Sequence, residues 1–190
     1  VLGYTRNEIS YSGNSGRVSA ETEYAGGVLG VNVSGATISH SVNAGSVFSS
    51  GNAIGGVVGS NAGHVLDCLN SGFISQGTKV GGICGEVLGG SNCLLKNCLN
   101  AGVVYSYRNT DQIGAIYGYF EGTGGVEDCY SDSQMCLAKT EDGMFPTEGL
   151  LASDLFAHWL HADSLYPRPF DSELTLLAAA PVFFDETDSY

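Results

Sequence analysis

The sequence predicts an all-β fold: a short single-stranded parallel β-helix of about four right-handed coils, closed by a helical C-terminal cap. Three observations carry this expectation. Three sequence elements recur in fixed order, glycine-rich turns separate the runs between them, and one branched aliphatic returns in each element of each repeat.

The first element is Asn-x-Gly-x followed by Val or Ile. It appears at Asn14-Ser15-Gly16-Arg17-Val18, Asn43-Ala44-Gly45-Ser46-Val47, Asn70-Ser71-Gly72-Phe73-Ile74 and Asn100-Ala101-Gly102-Val103-Val104, at spacings of 29, 27 and 30 residues. The second is Gly26-Gly27-Val28-Leu29-Gly30, then Gly55-Gly56-Val57-Val58-Gly59, Gly81-Gly82-Ile83-Cys84-Gly85 and Gly114-Ala115-Ile116-Tyr117-Gly118. The third closes each unit: Ile38 to Ser41, Val65 to Cys68, Leu95 to Cys98 and Val126 to Cys129. After the last, Ser131 stands where an asparagine is due.

Each unit therefore reads as three short strands and three turns. One unit cannot bury its own apolar face, whereas a stack of units can. Stacking at the ordinary strand spacing of roughly 4.8 Å turns equivalent residues into ladders. Val18, Val47, Ile74 and Val104 form one aliphatic ladder, with parallel ones at Val28 and at Ile38. Asn14, Asn43, Asn70 and Asn100 should stack through their amides at a turn, with the glycine two residues later supplying a positive φ.

The composition bounds the partners. The chain has 190 residues with 7 Lys+Arg against 20 Asp+Glu, a net charge of -13. Nucleic acid, anionic membranes and acidic polysaccharides are disfavoured, because each requires a basic footprint. No apolar run approaches the ~20 residues of a membrane span. The sequence opens at Val1 without a secretory signal and is expected to be a module, monomeric by itself, of a longer protein.

Six cysteines show no CxxC pair and no Cys/His metal pattern, so no metal or cofactor is expected. Ser12, Ser41, Cys68, Cys98 and Cys129 share one repeat position, which reads as a tight corner with Cys68, Cys98 and Cys129 as buried thiols.

The phrases Gly55-Gly56-Val57-Val58-Gly59 and Asp67-Cys68-Leu69-Asn70-Ser71-Gly72 resemble the GLUG repeat family, over about residues 9–131. The resemblance implies an extracellular bacterial protein, adhesin-like or attached to an immunoglobulin A-cleaving metalloprotease. It carries no catalytic residue across, and the sequence has no HExxH motif. It implies a non-catalytic module at the cell surface or secreted, whose partner is a host extracellular protein or glycan, an immunoglobulin among them. A passive spacer and a carbohydrate-active enzyme on neutral glycans are the alternatives.

The repeats end near residue 131. Residues 132–175 read as a cap with a helix near 147–161, where Leu150, Leu151, Leu155, Phe156, Trp159 and Leu160 fall near one face; Thr147 or Ser153 is a possible N-cap. Such a helix suits the raw end of a solenoid. Residues 176–190 read as a strand or linker.

Candidate binding residues lie where the repeat is broken. Tyr105, Tyr107 and Arg108 occupy the longest loop of the fourth coil, and Tyr117, Tyr119 and Phe120 follow in the same coil. Tyrosine and arginine bury area at low entropic cost while keeping a polar handle. Asp67 and Asp128 share a column two coils apart, about 10 Å. That is near the roughly 6.5–9.5 Å of inverting glycosidases. With Asn97 between them and no cluster of cations, they read as solvated turn residues; a calcium ion across the three is no better supported. His158 and His161 read as ordinary surface histidines.

Overall fold

In the computed structural model, which describes residues 2–21, 23–107, 112–136, 143–152 and 154–181, the chain winds as a β-solenoid of about four coils, with parallel pairing throughout the stack. Each coil passes through five short strands, so five sheets run along the stack. The first sheet holds Glu8–Ser10, Thr37–Ser39, His64–Leu66, Leu94–Lys96 and Gly125–Glu127. The second holds Gly13–Asn14, Val42–Asn43, Leu69–Asn70, Leu99–Asn100, Tyr130–Asp132 and Met144–Phe145. The third holds Val18–Ala20, Val47–Ser49, Ile74–Ser75 and Val104–Tyr105. The fourth holds Tyr24–Gly26, Ala53–Gly55, Lys79–Gly81 and Ile113–Gly114. The fifth holds Leu2–Thr5, Leu29–Asn32, Val58–Asn61, Cys84–Val87 and Tyr117–Phe120.

The sequence suggests three strands per coil; the structure has five. The Asn pair is itself a strand, and the double-glycine elbow splits one run in two, because backbone pairing to the next coil continues on both sides of each turn. The registers match the repeat alignment: Val18 pairs with Val47 and Ile74 with Val104, while Ile38 pairs with Val65.

The aliphatic ladders fill two compartments. Val28, Leu29, Ile38, Val57, Val65, Ile83 and Leu95 belong to one; Val47, Ile54, Ile74, Val80 and Val104 belong to the other. The asparagine ladder forms as expected. Each Nδ2 donates to the Oδ1 one coil on, at 2.9 Å from Asn14 to Asn43, 2.8 Å to Asn70 and 2.8 Å to Asn100. It ends at Ser131, whose hydroxyl accepts from Asn100 at 3.3 Å.

The glycines after these asparagines have a different role from the one expected. None has a positive φ. They are glycine for space: a Cβ on Gly72 would lie 1.9 Å from the Gly45 carbonyl oxygen, and one on Gly45 2.0 Å from that of Gly16. The left-handed residue of each coil is instead Tyr11, His40, Asp67, Asn97 or Asp128, with φ of 51, 45, 53, 53 and 49°. The small residue that follows closes this corner. Ser12, Ser41, Cys68, Cys98 and Cys129 each donate to the carbonyl two residues back, at 3.2, 2.9, 3.2, 3.3 and 3.3 Å. Serine and cysteine share that column because each is small and carries a hydrogen to donate.

The elbow interlocks with the asparagine ladder. A Cβ on Gly27, Gly56 or Gly82 would lie 2.3, 2.1 or 2.1 Å from the nearest heavy atom, and the side chains of Asn43, Asn70 and Asn100 would lie within 2.3 Å of each. By register, Ala115 stands at the elbow position of Gly82 and Ser131 at the ladder position of Asn100. The fourth coil therefore gains a Cβ at the elbow where it carries a smaller side chain in the ladder.

The cap departs from expectation in three ways. The first helix, α1, spans only Thr147–Leu151, and residues 155–158 form turns. Pro146 stands at its N-cap without a side-chain bond, and Ser153 lies outside the described residues. A second helix, α2, spans Glu173–Ala179 where a strand or linker was expected. Ser172 and Thr175 form its capping box, which fixes a helix start that apolar content alone did not reveal. Residues 182–190 lie outside the described residues.

The third departure is position. The cap folds back along the flank instead of plugging the end. Leu150, Phe156, Trp159, Tyr166 and Ala178 pack on Val42, Leu69 and Leu99 of the second sheet. Phe170 reaches Tyr11 in the first coil, with ring centroids 5.4 Å apart. Residues just before each ladder asparagine point out of the second sheet, and their apolar column is what the cap covers.

Replacing Ser131 by Asn is expected to destabilise the fold by about 1–3 kcal/mol, the cost of overpacking a filled position. Adding Ala115→Gly should recover most of that loss. Urea denaturation of the two single variants and the double variant measures the coupling, and additive losses would sink the interlock.

Candidate functional site

The uncovered flank next to the cap carries a row of aromatic side chains. In the third sheet Val18, Val47, Ile74 and Val104 point inward, so their neighbours point outward. Ser19, Phe48, Ser75 and Tyr105 pair across the sheet as one outward column. The residues preceding the inward ladder, Arg17, Ser46, Phe73 and Val103, form the other. The large members alternate between columns from coil to coil, giving a zigzag of Arg17, Phe48, Phe73 and Tyr105. The Arg17 guanidinium lies 4.6 Å from the Phe48 centroid, and Phe48 and Phe73 are 5.6 Å apart. Phe73, Tyr105 and Tyr107 stay exposed at 37%, 41% and 63%.

Of the six expected binding residues, Tyr105 lies on this flank, Tyr107 stands exposed two residues beyond its strand, and Arg108 lies outside the described residues. Sequence reasoning missed Phe48 and Phe73. Their signal was present: Phe48 shares the repeat position of Tyr105, and Phe73 that of Arg17.

The other three are elsewhere. Tyr117 takes the inward column of Leu29, Val58 and Cys84, and with Phe120 it packs against the core at the end of the stack. The two rings lie 5.5 Å apart. Tyr117 borders a cavity of about 490 Å³ with Ile116, Val126, Asp128 and Cys129. Tyr119 stands on the outer side of the fifth sheet, in register with Ser60 and Glu86. Glu86 is 1% exposed, and its carboxylate accepts from Ser60 at 2.9 Å and from Lys79 at 2.6 Å. Lys79 lies 4.4 Å from the Tyr119 ring centroid, and the Tyr119 hydroxyl donates to Glu121 at 3.1 Å. That bond, with the nearby carboxylate charge, raises the Tyr119 pKa.

Asp67 is not a solvated turn residue. Its Oδ1 accepts from His158 Nε2 at 2.6 Å, Trp159 Nε1 at 3.2 Å and Asn97 Nδ2 at 3.2 Å. The carboxylate can only accept, so His158 carries its proton on Nε2 in this contact. Asp67 is thus one rivet of the cap. Its exposed column mate Asp128 has no part in that arrangement. Asp132, fully buried, is the other rivet: it accepts from the Tyr166 hydroxyl, from Thr147 Oγ1 at 2.6 Å and from the Gln134 backbone at 2.8 Å. His161 binds the Phe156 carbonyl at 2.9 Å.

The six cysteines are free and buried. Burial pushes the Cys93 thiol up to about 11 and the Cys84 and Cys98 thiols well above their usual range. Hydrogen bonding with Cys98, then burial, raises that of Cys129. Among the described residues no group of three His, Cys, Asp or Glu side chains could hold a metal ion. No described helix is long and apolar enough to cross a membrane.

The described cations are all engaged. Lys79 pairs with Glu86, Lys96 with Glu127 at 2.7 Å and Arg168 with Asp171 at 3.0 Å. Arg6 bonds Tyr4 at 2.7 Å and Arg17 lies on Phe48.

The fold and flank define a capped β-solenoid with an exposed aromatic face. No family model matches the chain, and comparisons with curated proteins and with solved structures also return no match.

The thiols of Cys84, Cys93, Cys98 and Cys129 and the Tyr166 phenol are neutral when protonated, and their folded pKa values are raised, so they contribute full stability below their ordinary values and lose it as pH rises toward the folded ones. Stability should therefore decline from near pH 9, the ordinary thiol value, and further above pH 10, where Tyr166 is held neutral by burial and by Asp132. Urea midpoints from pH 7 to 11 test the slope. At pH 8 a thiol reagent should label almost none of the six cysteines until the chain is unfolded; rapid labelling of the native protein would contradict the burial.

Proposed function

We propose that the chain is a non-catalytic binding module of a bacterial surface or secreted protein, and that it holds a host glycoprotein, immunoglobulins included, against its aromatic flank. The observation that carries this reading is the zigzag of Arg17, Phe48, Phe73 and Tyr105, which crosses four coils on a side the cap leaves bare. Exposed apolar rows of this extent mark interaction surfaces more often than solvent-facing ones. Rings fixed on a β-sheet lose little entropy when a partner closes over them. The extracellular setting rests on the GLUG resemblance of the repeats.

Two features support a non-catalytic role. The Asp67 carboxylate, one of the two acids a sugar hydrolase would use here, is occupied by two cap donors, His158 and Trp159, and by Asn97 of the next coil. The six thiols are buried, and those of Cys84, Cys93, Cys98 and Cys129 have raised pKa values, opposite to what a nucleophile needs.

The immobilised chain should retain glycoproteins from serum or mucosal secretions. The triple variant Phe73→Ala, Tyr105→Ala and Tyr107→Ala should weaken retention at least ten-fold with an unchanged melting temperature, because the three side chains are exposed. Equal retention by the variant would remove this flank as the site, and no retention by either protein would favour a passive spacer.

A further inference from the structure

We infer that the N-terminal face of the first coil is a docking surface for one more parallel coil of the same repeat, joined ahead of it in register; this stands apart from the flank reading above. The face has two marks of an open end. Leu2–Thr5, Glu8–Ser10, Gly13–Asn14, Val18–Ala20 and Tyr24–Gly26 are each the terminal strand of their sheet, so among the described residues five backbone edges lie unpaired on one face. Edges of this kind accept a further strand. The core is also open there. Leu2 is 50% exposed and Ile9 and Val18 are half-buried, whereas their partners in the second coil, Leu29, Ile38 and Val47, are fully buried.

Two glycines of the first coil show what fits. Further along the stack, their counterparts are glycine because a Cβ would strike a carbonyl of the coil before. A Cβ on Gly45 or Gly72 would lie 2.0 or 1.9 Å from the carbonyl oxygen of Gly16 or Gly45, and one on Gly30 or Gly59 2.6 or 2.7 Å from that of Gly3 or Gly30. Gly16 and Gly3 hold these positions in the first coil, yet a Cβ on Gly16 would meet only Asn14 Oδ1 at 3.7 Å, and one on Gly3 nothing within 4 Å. Neither has a positive φ, so conformation does not require glycine at either. Both leave room for the carbonyls of a coil stacked on this face.

The asparagine ladder points the same way. Asn43, Asn70 and Asn100 each accept at Oδ1 from the asparagine one coil ahead and from the backbone two residues on. Asn14 Oδ1 accepts from the Gly16 backbone at 3.2 Å and has no ladder donor among the described residues. An asparagine in a preceding coil supplies that donor in the direction the ladder already runs. A second copy stacked head to tail is the poorer occupant, because the last coil is partly covered. Its second sheet ends in Met144–Phe145, and Val104 of its third sheet bridges Cys136.

The test adds such a coil to the full chain: a copy of residues 29–56 fused ahead of Val1, which sets its asparagine one repeat before Asn14. Hydrogen exchange of the first-coil amides should slow at least about ten-fold in the extended chain, because each coil is stabilised through its neighbours. Gly16→Ala should move the melting temperature of the original chain by less than about 1 °C and lower that of the extended chain by about 3 °C or more. Gly45→Ala should lower both. Unchanged first-coil exchange in the extended chain, or an equal Gly16→Ala shift in the two chains, overturns the inference. Sedimentation showing that the original chain dimerises, with the dimer lost in Gly16→Ala, gives the face to a second copy and also overturns it.

Discussion

Everything in this structure depends on one interlock: the asparagine amide ladder seated against the glycine elbow. An amide has a donor and an acceptor, so each ladder asparagine can satisfy the coil on either side and its own turn at once. Asn43 donates to Asn70 and to the Gly45 carbonyl, and accepts from Asn14 and the Gly45 backbone. Left unpaired, such buried groups would cost about 1–3 kcal/mol each. The amides fit only because Gly27, Gly56 and Gly82 present no Cβ. Coil spacing, register and the separation of the two aliphatic compartments follow from that contact.

The interlock also assigns the faces. With the asparagines turned inward, the residues just before them, Val42, Leu69 and Leu99, must turn outward as an apolar column. A column of that kind needs a cover, and the cap supplies it. Two carboxylates hold the cap in place, Asp67 at the corner and Asp132 in the interior, each accepting two side-chain hydrogen bonds from the cap. The cover occupies one flank, so the neighbouring flank keeps its rings in solvent. Burial on one side and exposure on the other are thus two results of the same alternation.

Much of this was legible in the residues. The spacing of Asn14, Asn43, Asn70 and Asn100 set the ladder and its register, and the aliphatic columns set the core. The binding face was legible only in part. Tyr105 and Tyr107 stood out by loop length, but Tyr117 and Phe120, equally aromatic and in the same coil, turned toward the core end. Sequence proximity grouped them, whereas strand alternation and the intervening elbow separated them. Phe48 and Phe73 are far apart in sequence and become neighbours only when coils stack. The helix of the cap was legible as an apolar stripe, but not its length, because Leu150, Phe156 and Trp159 satisfy the solenoid flank through a turn and not through one straight helix.

The sequence by itself determined the coil, since a period of about thirty residues with one asparagine, one glycine pair and three aliphatics per turn admits one economical way of pairing backbone and burying side chains. Only the tertiary structure decided where the cap lies, which carboxylates fasten it and which aromatic rings remain outside. Those outcomes depend on contacts between separate segments of the chain, such as Asp132 with Tyr166, Asp67 with His158 and Tyr11 with Phe170, and no local pattern encodes such pairings.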